Sequence, residues 1–565
     1  MKRLFNLIII LGISIGFYSC EDLDLDPMSS LSTGNWYQTV DQIEKGVNLG
    51  YRMEGYYWDD TQYFTDLDDN QTWRESVGFY KGGTMTSEEG WTGMWWDRFY
   101  QGISRMNNVL AAAEALLENG DTSEKLPRLI GEIHFFRAFF YHKLVFHWGD
   151  VPFVKENLTV EQAMAMGRTP KSELIPFIYD EFDKAASALP IQVATSRVTK
   201  GAALALKARF ALLMGDYATA EMTAKQVMDL NVYSLYPDYE ELFLGSTTGS
   251  EEHIFYLPRA VDFDSHSYNF LQSVLIRNQT GWCALYPTWD LFASYTCTDG
   301  LPVDESPLFN PRDPWKNRDP RLTATMVEPG TRFLGYIFQP HPDSVTCYSY
   351  YTNSMVPNQD CRTVKTYASF TGLAWKKGID DSWIDNGWRT TNDHIISRYA
   401  DVLLIYAEAR IEQNKIDQST LDAINMVRAR AYGVTKGQTD QYPAVTETNQ
   451  SKLRVILRNE RRVEFALERS YRHEDLVRWK YCEIVFNQKH LIFPWDVSEI
   501  DRDAWWWPIA PNINDETGLP DFSNLEATGK FDVIATYKWN DKCYLYPIPS
   551  TEIIINSNMK QNPGY

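Results

Sequence analysis

The sequence predicts a mainly α protein: a scaffold of tetratricopeptide-like helical pairs that carries a loop-rich, partly β insert. Three observations predict it. Residues 199–230 read as a helical hairpin with alanines where the two helices meet. Residues 126–148 read as a helix that is apolar around most of its surface. Between about 242 and 393 helical periodicity fades, and Pro, Gly, Asn, Asp, Trp and Tyr become frequent.

Each element follows from local pattern. Thr39–Glu54 has the period of a helix. From Leu126 to Trp148, Leu129, Ile133, Phe136, Phe140 and Leu144 recur at three- and four-residue spacing. Phe135, Phe139 and Phe146 fall off that stripe, so this helix is expected to be central. Gly149-Asp150-Val151-Pro152 stops it. Thr169-Pro170 opens the next helix, because proline at the first helical position lacks only an N–H that has no partner there. That helix runs to Leu189-Pro190. Thr199–Met214 and Tyr217–Leu230 join at Gly215-Asp216, and Ala202, Ala205, Ala208, Ala220 and Ala224 allow close approach. Tyr399–Gln413 and Leu421–Ala431 form a second such pair. Trp95 and Trp96 precede Phe99, Ile103 and Met106 at helical spacing, which places at least one of them in the core. A second irregular stretch runs from about Ile492 to Tyr537, and Cys543–Tyr546 reads as a short strand before a Pro-rich tail. The expected division is a signal at 1–19, a helical part at 20–241, the insert at 242–393 and a second helical part at 394–565.

Composition excludes several classes. With 44% hydrophobic and 23% charged residues, the 565-residue chain is neither disordered nor collagen-like. Only one apolar run approaches helix length, which excludes a polytopic membrane protein. A formal net charge of −21 argues against a nucleic-acid partner, since phosphate binding needs a basic face. The 19 Trp residues and an aromatic share of 14% exceed what a core requires, and flat apolar ligands are one explanation.

Lys2 and Arg3 precede an apolar run from Leu4 to Tyr18, too short for a comfortable bilayer span and right for a signal peptide. Ser19-Cys20 ends it in the manner of a bacterial lipobox, which assigns Cys20 as the lipidated residue; an ordinary secretory signal is the alternative. Glu21, Asp22, Asp24 and Asp26 follow, a solvated tether or a tag for the outer face of an outer membrane. Such an acidic surface would be held at the membrane by its lipid and not by anionic headgroups. The six remaining cysteines contain no CxxC, and Cys283/Cys297 and Cys347/Cys361 are the local disulfide candidates.

Catalytic spellings fail. Gly12-Ile13-Ser14-Ile15-Gly16 has the form of a nucleophile elbow but lies in the signal. His473-Glu474 begins a zincin motif, yet Val477 stands where the second His belongs. Asp66, Asp68 and Asn70 start like a calcium loop, but Gln71 replaces the Gly and Val77 the closing Glu. No cofactor is expected, and calcium is the one metal left open. Glu460, Arg461, Arg462, Glu464, Arg469, Arg472, Asp475 and Arg478, with His473, are expected to join helices as ion pairs.

Four segments together resemble the SusD/RagB family of surface nutrient-binding lipoproteins. They are Gly131–Tyr141 with Gly149–Pro152, Arg398–Ala409, Arg458–Glu468 running on to Asp475–Trp479, and Tyr546–Pro549 through Asn556 to Gln561–Tyr565. The resemblance covers nearly the whole mature chain. It implies that the insert is a ligand-binding part, that the protein binds without hydrolysing, and that a SusC-like TonB-dependent outer-membrane transporter is the partner. It implies glycan as ligand, oligosaccharide or polysaccharide. Peptide capture in the RagB manner is the alternative, and a surface glycosidase or a pure assembly scaffold stand further off.

Glycan chemistry gives the aromatics a role. A pyranose has an apolar C–H face and a hydroxyl rim, so Trp or Tyr stacks on the face while neighbouring polar groups bond the rim. Loop tryptophans beside polar or glycine residues are the candidates: Trp73 with Asn70 and Arg74, Trp91, Trp282, Trp315, Trp383 and Trp388. Trp505, Trp506 and Trp507 read as either a platform or a hydrophobic latch.

Overall fold

A computed structural model of the chain describes residues 36–52, 67–74, 78–193, 196–263, 272–387, 389–468, 470–503 and 505–565. The signal, Cys20, Asp66, Val77, Trp388 and Arg469 lie outside the described residues. The long helices are α1 (Val40–Arg52), α2 (Gly90–Glu118), α3 (Lys125–Trp148), α4 (Lys171–Ala188), α5 (Lys200–Leu213), α6 (Tyr217–Asp229), α7 (Tyr399–Glu412), α8 (Gln418–Ala431), α9 (Gln450–Glu464) and α10 (Ser470–Trp479). Their boundaries follow capping chemistry. The side chains of Thr199, Asp216, Asp417 and Asn449 each accept a backbone N–H of the first turn of α5, α6, α8 and α9. Pro170 sits just before α4, and Gly149 closes α3 at φ 77°.

From α1 to α8 each helix packs on the next. This holds even between α6 and α7, where 169 residues of chain leave and return. That is the stacking of a helical-repeat array, in which each pair buries its apolar face against a neighbour. Helix α3 is central as expected: every residue from Gly131 to Trp148 is buried. Four of its charged or titratable side chains are paired. Glu132 takes Arg197 at 2.7 Å, Arg137 and His134 reach Glu181 at 3.2 and 3.0 Å, and Lys143 reaches Glu474 at 3.0 Å. Trp95 and Trp96 are both in the core.

Short strands occupy the rest: β1 (Gln71–Trp73), β2 (His253–Leu257), β3 (Leu285–Pro287), β4 (Arg332–Phe333), β5 (Tyr336–Ile337), β6 (Thr346–Ser349), β7 (Ser354–Pro357), β8 (His394–Arg398), β9 (Lys489–Ile492), β10 (Asn512–Ile513), β11 (Pro520–Asp521) and β12 (Asp532–Thr536). β4 to β7 form an antiparallel meander within the insert, and the others pair in twos. β2 and β8 bracket the insert and pair with each other, closing it at its base. One core runs along the helices from Ile43 to Met559. A second gathers Val274–Trp383 together with residues from Val463 to Leu525, so the insert shares its interior with the C-terminal irregular stretch.

Two expectations are corrected, and one open alternative is decided. The described cysteines are all free and buried, with no disulfide among them. Cys361 Sγ donates to the Pro342 carbonyl at 3.3 Å, and Cys297 lies beside Ser306. Residues 541–544 form a one-turn helix and not a strand, because Asn540 Oδ1 caps the turn. The Trp505–Trp507 run is a latch: Trp506 and Trp507 are buried, and Trp505 stacks on Phe493 at 4.0 Å.

The charge cluster is the ion-pair network that the sequence predicts. Glu464 accepts from Arg321 at 2.9 Å, Arg398 at 2.8 Å, and Arg430. Arg461 bonds Asp475 at 2.9 Å and Asp401 at 3.2 Å, and Arg478 grips Glu408. These side chains tie the insert and strand β8 to helices α7, α8, α9 and α10.

His473 belongs to a buried aromatic stack, parallel to His147 at 5.9 Å and 3.4 Å from the Tyr546 hydroxyl. Burial drives its imidazole down to about 4, with Glu474 pulling up and Lys143 pushing down; its Nδ1 faces the Leu67 carbonyl. An unfolded histidine titrates near 6.5, so between these values the unfolded chain binds a proton that the folded chain refuses. The contribution of His473 to stability is therefore full at neutral pH and declines as pH falls toward 4. His147 and His142, also held low by burial, act in the same direction. The unfolding midpoint is expected to drop between about pH 7 and pH 5, and to drop less in His473→Gln. Equal slopes in the two proteins would remove His473 from the account.

Candidate functional site

β1 and β3 pair antiparallel, setting Trp73 opposite Leu285 and placing the Arg74 N–H on the Ala284 carbonyl at 2.8 Å. That pairing brings Arg74 to the loop that carries Trp282. The loop is fixed by backbone bonds: Gly281 N donates to Ile276 O at 3.1 Å, Trp282 N to Gln272 O at 2.7 Å, and Cys283 N to Leu275 O at 3.0 Å. Glycine is required at 281, since a Cβ there would stand 2.3 Å from the Leu275 carbonyl oxygen. Asp360 holds the loop from below, accepting the N–H of Arg277 at 2.7 Å and the Asn278 amide at 2.7 Å. Burial raises the Asp360 carboxyl to about 6 against these hydrogen bonds.

Two cations then converge on two carbonyls. Arg74 Nη1 donates to Trp282 O and Tyr367 O, both at 3.0 Å, and Arg277 Nη1 to the same oxygens at 2.9 and 3.3 Å. The Arg74 guanidinium also lies 4.9 Å from the centre of the Tyr367 ring. Burial and the neighbouring Arg74 lower the Arg277 pKa. The result is two aromatic side chains, Trp282 at 41% and Tyr367 at 51% exposure, whose main chains are clamped together. Trp495 is another exposed ring, at 45%, edge-on to Phe370 at 4.7 Å. Arg362 anchors it through the Trp495 carbonyl at 2.8 Å.

The other expected residues fall elsewhere. Trp73 is half-buried against the second core. Trp91 is not in a loop; it begins α2 and is enclosed by Phe79 and Tyr546. Trp315 is buried by Phe292 and Trp506, and Trp383 sits buried in a short helix, Ser382–Asp385. A buried ring has no free face for a sugar, so Trp91, Trp315 and Trp383 are corrected to core residues. Asn70 is buried too, its Oδ1 taken by Arg462 Nε at 2.9 Å. Its neighbour Asp69 is gripped by Arg462 and Arg472 at 2.9 and 2.7 Å. Trp388 lies outside the described residues.

Sequence reasoning missed Tyr367, Arg277 and Trp495. Trp495 stands between Pro494 and Asp496 and meets the same loop criterion, but lies outside the insert. Tyr367 could have been found by extending the criterion to tyrosine.

The structure is therefore a helical-repeat scaffold whose loops display exposed aromatic rings on main chains held by shared arginine bonds. Residues 251–565 match the family model described as "SusD family", and residues 22–212 match one described as "Starch-binding associating with outer membrane". The chain belongs to the SusD family. It is 24% identical over 576 residues to SusD-like protein P2 of Formosa agariphila, covering 97% of each. A solved SusD-like carbohydrate-binding protein from Bacteroides fragilis is 28% identical, with TM-score 0.76 over 93% of this chain and 99% of that one. A second SusD-like structure from the same species gives 25% identity and TM-score 0.69, over 94% and 98%.

Among the described residues no helix is long and apolar enough to cross a membrane.

Proposed function

We propose that this protein captures oligosaccharide or polysaccharide at a cell surface, on the face formed by Trp282 and Tyr367, and passes it to a SusC-like TonB-dependent transporter. The observation that carries the reading is the pair of half-exposed rings clamped by Arg74 and Arg277. Stacking on such rings needs no catalytic group, and the reading is of binding without hydrolysis. The descriptions of the family model and of the Bacteroides fragilis relative, starch-binding and carbohydrate-binding, support the ligand class. The sequence Ser19-Cys20 supports a lipid anchor in the outer membrane with the protein facing outward. Residues 242–393 act as the ligand-binding part. A neutral glycan is favoured, because the chain carries a net charge of −21. Affinity is expected between about micromolar and millimolar, or roughly −8 to −4 kcal/mol.

The test is affinity electrophoresis of the protein begun after Cys20, through gels containing starch, laminarin, xyloglucan, xylan, pectin or mucin glycans. Retardation by at least one neutral glycan is expected. Unretarded migration in every gel overturns the reading in favour of peptide capture.

A further inference from the structure

We propose that the β4–β7 meander carries a second sugar-stacking platform, centred on Tyr351, which takes a neutral polysaccharide strand continuing from the Trp282 face. This rests on the glycan reading of that face. Tyr351 is 56% exposed, yet it is fixed on three sides. Its ring lies against Gly335, where φ is +78° and a Cβ would stand 2.1 Å from the ring, so only glycine lets the tyrosine seat there. Its hydroxyl accepts from Gln279 Nε2 at 2.8 Å, and Tyr336 flanks it at 5.6 Å. An exposed tyrosine ordinarily samples several rotamers; one held by its hydroxyl and by contacts on its ring costs little further entropy when a ligand stacks on it.

The neighbours suit a hydroxyl rim. Tyr350 is exposed beside it, backed by the Arg332 guanidinium at 4.8 Å and the edge of Tyr348 at 5.0 Å. Asp381, with half its side chain exposed, pairs with Arg332 at 3.4 Å. Asp381 and Asp385 both act electrostatically on the Tyr351 hydroxyl. Two carboxylates and an arginine at hand offer acceptors and donors to neutral sugar hydroxyls, and the acidic excess opposes an anionic glycan.

Continuity selects the occupant. Gln279, which pins Tyr351, and Trp282 belong to one fixed turn, so the two platforms hang from points at most about 10 Å apart along the chain. A strand longer than the Trp282 face can engage both, and the second contact is then intramolecular.

The test uses the same gels. Tyr351→Ala is expected to weaken apparent affinity for whichever neutral polysaccharide retards the parent by about tenfold. Trp282→Ala is expected to leave a residue of retardation that Trp282→Ala/Tyr351→Ala abolishes. Tyr351→Leu, which refills the space over Gly335 without an aromatic face, guards against misfolding and is expected to match Tyr351→Ala. Parental affinity in both Tyr351 variants, in every gel that retards the parent, overturns this inference alone. Failure of every gel to retard the parent overturns the glycan reading and this inference with it.

Discussion

Replacing Glu464 with alanine is expected to destabilise the protein by about 3–5 kcal/mol, the cost of leaving buried charge unpaired. Burial by itself pushes the Glu464 carboxyl up, but the guanidiniums of Arg430, Arg398 and Arg321 more than reverse it and hold the group well below the carboxylate range. All four side chains are at most 4% exposed. Without Glu464, Arg321 keeps Asp319 and Glu460, Arg398 keeps Glu252 and Glu468, and Arg430 keeps Glu252. The remaining acids then serve more positive charge in a place water cannot reach. Domains of this kind are stable by only about 5–15 kcal/mol, so the loss is a large share. Urea unfolding of the Glu464→Ala and Glu464→Gln variants measures it, with Gln expected to lie between Ala and the parent. A change below about 1 kcal/mol in Glu464→Ala would mean that the other carboxylates suffice. The sign with pH follows: a carboxyl depressed in the folded state contributes stability that is full above its unfolded value and is lost in strong acid.

Trp282→Ala is expected to weaken glycan binding by at least about tenfold, roughly 1.4 kcal/mol, without shifting the unfolding midpoint. The ring is 41% exposed and its loop is held by main-chain bonds, so the scaffold does not depend on it. Trp282→Phe should recover part of the affinity, since a smaller aromatic face remains. Trp315→Ala and Trp383→Ala provide the contrast. Both rings are buried in the second core, and each truncation should cost about 3–5 kcal/mol of stability through the cavity it leaves. Parental retardation of Trp282→Ala, with the Trp315 or Trp383 variant folded but unable to bind, would move the site away from the Trp282 face.

These contrasts show how unevenly the molecule could be read from its sequence. The helical pairs were legible because their causes are local. An alanine-lined hairpin, Thr199 and Asp216 capping its two helices, and Gly149 ending the central helix all act within a few residues. The ion-pair network was legible as a class, since so many arginines and carboxylates on adjacent helices leave few alternatives to pairing. Its actual partners were not: Arg321 lies far in sequence from Glu464, Asp401 from Arg461, and Glu252 from Arg398 and Arg430.

For the proposed binding face, the loop criterion selected Trp282 and Arg74 but also Trp91, Trp315 and Trp383. A polar neighbour along the chain says that a tryptophan starts in a loop, not what later covers it. Trp315 is covered by Phe292 and Trp506, and Trp91 by Tyr546 from the far end of the chain.

The sequence by itself therefore determined the family, the helical architecture and its order, because the family motifs, periodicity and capping are all local patterns. Only the tertiary structure decided which aromatic rings stay open. Exposure is a property of long-range packing: Arg74 meets the Trp282 carbonyl across 208 positions and the Tyr367 carbonyl across 293, and so holds two distant main-chain segments together.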